Sequence, residues 1–264
     1  MIPEKKMKSN KIKDYLDQQL IHYYSDAFIP NDPISIPHHF DKREDIEIAG
    51  FLTSIISWGR RDQILKNAHK MMALLEGNPH DFILDKDKHD SLLTSGFVHR
   101  TFNCIDLHYF VKTLHEIYTN EGGLEHFFKK GIAMNDTNLK NAISLFKQNF
   151  FAFNPPSRTT KHLPDPQNGS AAKRFNMFLR WMVRTGNESI DFGLWTSISP
   201  SLLSCPLDVH SGRIARELGL ITRKQNDWKA LEELDAWLRT FDPEDPCKYD
   251  YALFSLGVNK DFEQ

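Results

Sequence analysis

The chain has 264 residues, with 33 Lys and Arg against 35 Asp and Glu for a formal charge of −2, and it is 40% hydrophobic and 26% charged. That length buries a full core without staples, and the balance excludes a disordered chain. Near-neutral charge excludes a protein that coats nucleic acid indiscriminately, because such binding rests on neutralising phosphates, but it leaves room for a local basic groove.

A leading helix is expected before NDPISIPHHFDKRED, where Pro33 and Pro37 interrupt the chain and Asp41 or Asp45 is placed to cap the next helix. Residues 46–75, 107–118, 139–151 and 228–238 space their apolar side chains by three and four, the helical period. Four prolines between Phe153 and Ser170, with no periodicity, predict an exposed, mobile loop. The one Asn-Gly, Asn168-Gly169, lies in a polar stretch and opens a helix rather than a hairpin. The expected fold is therefore all-α, a single two-lobed helical domain over residues 1–264. Its lobes are 45–152 and 170–264, with a leading helix and connector over 1–44 and a loop over 153–169.

Cys104, Cys205 and Cys247 are odd in number and far apart, so neither a disulfide framework nor a cysteine-only metal site is expected, and a cytoplasmic location fits. The basic N-terminus has no apolar run behind it, and no stretch of about 18 uncharged apolar residues occurs, so no membrane association is expected. His38, His39, His99, His108, His115 and His126 lack metal-ligand spacing. No phosphate loop, dinucleotide fingerprint or nucleophile elbow occurs, and no cofactor is expected.

Ser170 is placed to cap the helix AAKRFNMFLRWMVRT and Gly186 to end it, with Phe175, Phe178, Leu179 and Met182 as the buried stripe. Lys173, Met177, Arg180 and Arg184 follow at helical spacing on another face. That basic edge either tracks phosphates or is a solvated face. Asp208 stands where a helix beginning at Val209 wants its N-cap, and the helix start favours its anionic form.

Pro206-Leu207-Asp208-Val209-His210, with Arg213, Arg216 and Leu218-Gly219-Leu220 behind it, resembles the Val-Asp-Thr-His segment and trailing helix of the helix-hairpin-helix DNA glycosylases, such as endonuclease III. KRFNMFLRWMVR, DFGLW, PLDVH and DPEDPCKYDYALFSLG also resemble a bacterial family of similar length. The first resemblance implies the two-lobed glycosylase fold and a base-excision activity on an oxidised purine in damaged double-stranded DNA, with or without abasic-site lyase activity. Asp208 matches the superfamily aspartate. The nucleophilic lysine usually lies in a glycine-rich hairpin shortly before it, yet residues 189–205 hold no lysine and only Gly193. Archaeal oxidised-guanine glycosylases carry the lysine farther upstream, near a helix start, and Lys173, 35 residues before Asp208, resembles that arrangement. The other reading of Lys173 is a surface lysine in a first helical turn. Without the hairpin, the segment from Ser199 to Asp208 is left to offer amides to a phosphate.

The resemblance also marks FLTSIISWGRRDQ as the helix facing the base pocket, with Ser57 and Trp58, joined by Met177, as pocket residues. Trp58 either stacks on an extruded base or packs in the core. Arg60, Arg180, Arg184, His210 and Arg213 become the nucleic-acid contacts, and Lys248 a lesser one. Arg60 is equally explained as a helix-end charge. The last helix supplies Tyr249, Tyr251, Phe254 and Leu256 as packing. Cys247 is the only cysteine after Asp208, so the iron–sulfur cluster of some relatives is not expected. Two alternatives stay open: a non-catalytic nucleic-acid binder using Lys173, Arg180, Arg184 and Arg213, and a protein-interaction domain that keeps the fold alone.

Overall fold

The computed structural model describes residues 4–185 and 190–259, and it is all-α. In chain order the helices are α1 (Glu4–Tyr23), α2 (Arg43–Ile56), α3 (Arg61–Leu74), α4 (Pro79–Leu84), α5 (Lys86–His89), α6 (Cys104–Asn120), α7 (Leu124–Lys129) and α8 (Lys140–Phe150). They continue with α9 (Lys173–Val183), α10 (Val209–Glu217), α11 (Trp228–Phe241) and α12 (Asp250–Asn259). Among the described residues the one sheet is a two-residue hairpin, β1 (Val98–His99) against β2 (Phe102–Asn103). No described helix is long and apolar enough to cross a membrane.

The chain divides into two compact units, one of residues 29–135 and 140–165 and one of residues 1–28, 136–139 and 166–264. The leading helix thus goes with the C-terminal residues, and most of the proline-rich segment goes with the N-terminal helices.

In the unit of residues 29–135 and 140–165, α2 is buried nearly all round, and Phe51 packs against Phe110, Phe146 and Phe150 at ring separations of 6.0, 5.8 and 5.7 Å. The expected helix over 46–75 is two helices. Ser57 turns its hydroxyl back to the Thr53 carbonyl at 2.7 Å, and Gly59 enters at φ 103 a backbone region that side chains disfavour, so the helix ends and restarts. Neither Asp41 nor Asp45 caps α2: the N-cap is Lys42, without a side-chain bond, while the Asp45 carboxylate accepts from the His80 amide at 2.7 Å. The segment predicted to be an exposed loop is exposed at Phe153, Asn154, Ser157 and Arg158 but pinned over residues 159–163. Thr159, His162 and Leu163 are buried, because the Thr159 hydroxyl at 2.8 Å and His162 Nε2 at 3.3 Å both reach the buried carboxylate of Asp106.

In the other unit α9 starts at Lys173, later than expected. Ser170 bridges Asp227 as a short extended pair and accepts from the Ala172 amide at 3.2 Å. Ala172 then makes the turn at φ 49. The buried stripe of Phe175, Phe178, Leu179 and Met182 is as predicted. The expected terminator Gly186 lies outside the described residues. α10 and α12 approach closely at Gly257, where a Cβ would stand 2.8 Å from the His210 carbonyl carbon and oxygen. Only glycine permits that approach.

Candidate functional site

Asp208 is the N-cap of α10 in a reciprocal capping box. Its Oδ1 accepts from the amides of His210 at 2.8 Å and Ser211 at 3.0 Å, and its own amide donates to Ser211 Oγ at 3.0 Å. Asn226 donates to its carbonyl at 2.7 Å. All the hydrogen bonds to its carboxylate among the described residues fall on Oδ1, so the carboxylate is held fixed with Oδ2 uncommitted.

Lys173, half-buried, is the first residue of α9, and its Nζ lies 3.9 Å from the sulfur of Met177 one turn on. A cation at a helix N-terminus opposes the dipole, and Arg174 follows it directly, so this is a costly place for a lysine that serves only solubility. Burial holds the Arg174 guanidinium down to about 10.

Asp250 is the buried first residue of α12. It is ion-paired with Arg180, and it accepts from the Cys205 thiol at 3.6 Å. Burial pushes its carboxyl up to about 6 against the pull of Arg180, while the charge of Asp208 raises it further and that of Lys173 lowers it.

Arg180 and Arg184 do not form an exposed basic edge. Their side chains are 4% and 6% exposed. Arg180 pairs with Asp191 at 3.3 Å and with Asp250; Arg184 pairs with Asp191 at 3.1 Å and Asp245 at 2.8 Å and donates to the Tyr24 hydroxyl at 2.9 Å. Both guanidinium groups also lie on rings, Arg180 at 4.2 Å from Tyr251 and Arg184 at 4.8 Å from Tyr24. Buried charges need such partners, and these arginines have none to spare for a phosphate.

His210 is exposed, with Nδ1 at 3.2 Å from the Gly257 carbonyl oxygen. Arg213 is partly exposed and pairs with Glu217 at 3.0 Å, so both stand at the surface of α10 near Asp208. Arg216 is spent on closing the following loop, donating to the carbonyls of Arg223 and Lys224. Lys248 pairs with Asp242, while Tyr249, Tyr251 and Leu256 are packed inside.

Ser57 and Trp58 belong to the first unit and Met177 to the second. Ser57 is buried with its hydroxyl committed to Thr53, so it is not presented to a base. Trp58 is half-buried, edge-on to His99 at 4.9 Å. FLTSIISWGRRDQ is not one helix but the α2–α3 junction, which leaves Arg60 81% exposed beside Asp62.

The residues missed by sequence reasoning are the acids Asp106, Asp191, Asp235 and Asp250. Asp250, an acid opening an apolar helix, carried a local signal. Asp106 carried a weaker one, as the N3 partner of Asn103 in a capping box. Burial works to raise its carboxyl, but His162, the Asn103 amide and Thr159 outweigh that and hold it below the usual range.

Asp235 of α11 accepts from the Cys205 amide at 3.1 Å, and burial pushes its carboxyl up to about 6. The folded chain then holds this proton more tightly than the unfolded one, so the group's contribution to stability falls as pH rises between about 4 and about 6. Asp235→Asn is expected to shrink the fall in urea midpoint between pH about 4.5 and about 6.5 without abolishing it, since Asp250 acts with the same sign. An unchanged fall in the variant would refute this account.

No curated protein and no solved structure matches the chain. The sequence profile of the family described as protein of unknown function DUF2400 matches residues 32–259, most of the chain, and the chain belongs to that family.

Proposed function

We propose that this chain is a DNA base-excision enzyme related to the helix-hairpin-helix glycosylases, acting on an oxidised purine in duplex DNA with Lys173 as nucleophile and Asp208 as its charged partner. The observation that carries the reading is the capping geometry that immobilises the Asp208 carboxylate through Oδ1 and leaves Oδ2 uncommitted. The resemblance around Asp208 supports it.

In this reaction the unprotonated Nζ of Lys173 attacks C1′ of the damaged nucleotide. The C1′–N bond breaks, and its electron pair leaves with the base, which takes up a proton. The C1′–O4′ bond then breaks, O4′ keeps its electron pair and takes up a proton, and the opened sugar is left with an iminium between Nζ and C1′. Asp208 stabilises the positive charge that builds on the sugar. Loss of the C2′ proton lets the 3′-phosphate depart, cutting the strand, and water releases Lys173.

Borohydride reduces such an iminium to a stable amine, so the expected result is a covalent protein–DNA adduct on duplexes carrying an oxidised guanine or an abasic site. Absence of adduct on both, in a protein that still binds duplex, would leave the non-catalytic binder as the better account.

A further inference from the structure

Pairing of His99 with Phe102 leaves Arg100 and Thr101 as the two-residue connection of the β1–β2 hairpin. Such turns ask for glycine or asparagine where φ is positive, yet an arginine stands there at φ 55. The hairpin is bolted down on both sides. His99 Nδ1 accepts from Asn67 at 2.9 Å, and its Nε2 donates to the Trp58 carbonyl at 3.1 Å. Arg158 donates to the Thr101 carbonyl at 2.8 Å while pairing with buried Asp106 at 3.2 Å. Gly59 makes room for the arginine, since a Cβ there would stand 2.8 Å from Arg100 Nη1.

What this scaffold presents is a guanidinium. Arg100 is exposed, and among the described residues it has neither an ion-pair nor a hydrogen-bond partner. Exposed Arg60 follows Gly59 and pairs with exposed Asp62, and half-exposed Arg158 holds the Thr101 carbonyl, so two further arginines stand next to this turn. A strained backbone persists where surrounding structure over-determines it, and such sites often serve a ligand. Guanidinium forks match phosphate oxygens.

We infer that Arg100 is a phosphate-binding arginine that grips the backbone of duplex DNA, with Arg60 and Arg158 flanking it. This rests on the DNA reading above and extends it to a surface that the lysine chemistry does not use. Arg100 reads charge and not sequence, because a phosphate contact carries no base information.

The test compares native protein with Arg100→Gly and Arg100→Glu in titrations of labelled duplex DNA and of RNA duplex of the same sequence, with inorganic phosphate as competitor. Glycine accepts the positive φ, so Arg100→Gly is expected to melt at or above the native temperature while binding duplex DNA about tenfold more weakly at low salt. The slope of log affinity against log salt is expected to fall by about one. Arg100→Glu is expected to weaken binding further. Affinities within about twofold of native in both variants overturn the inference, as does a loss confined to RNA, or competition by millimolar phosphate that abolishes duplex binding.

Borohydride trapping on the same samples separates the two readings. A native adduct with duplex affinity indifferent to Arg100 sinks this surface alone. Affinity lost with Arg100 in a protein that forms no adduct sinks the lysine chemistry alone, and a native protein that binds no duplex sinks both.

Discussion

Asp191→Ala is expected to cost about 3–5 kcal/mol of folding stability, the scale for removing one partner from a buried charge network. Asp191 is fully buried and bridges two guanidinium groups, Oδ1 to Arg180 and Oδ2 to Arg184. Truncation leaves Arg180 with Asp250 and Arg184 with Asp245, each without its shared counter-charge in a region where water cannot replace it. Against a total of about 5–15 kcal/mol for ordinary domains, that is a large fraction. Urea unfolding of the variant measures it, and a loss under about 1 kcal/mol would mean that the network tolerates the gap.

Lys173→Ala is expected to abolish trapping, a loss of about 10⁴-fold or more, with no loss of melting temperature. The reason for the second half is electrostatic: a cation at the positive end of α9 does nothing for the helix, and alanine is a good helix former. Asp208→Asn separates the two jobs of that residue. Asparagine caps a helix about as well as aspartate, so the α10 start and the fold are expected to survive. The negative charge is gone, and trapping is expected to fall about 10²- to 10⁴-fold. If Asp208→Asn instead unfolds the chain, the carboxylate is structural. If it folds and traps at the native rate, Asp208 is a cap and nothing more.

Part of this protein is determined by sequence alone, wherever the interaction that decides the structure spans only a few residues. The all-α fold follows from apolar spacing. The buried stripe of α9 and the cap at Asp208 follow from side chains reaching two or three residues along the chain. Local chemistry misleads where a second use competes for the same group. Ser170 looks like a cap but is engaged with Asp227, and the helical period over 46–75 hides the break at Ser57 and Gly59.

Tertiary structure alone decided the rest of the site. Helical spacing places Arg180 and Arg184 on one face, but it cannot say whether that face meets water or carboxylates supplied by Asp191, Asp245 and Asp250, up to 70 residues away. The docking of residues 159–163 on Asp106 has the same origin. Charges distant in sequence are brought into a low-dielectric interior where only paired groups survive, and pairing there depends on packing that no local pattern records.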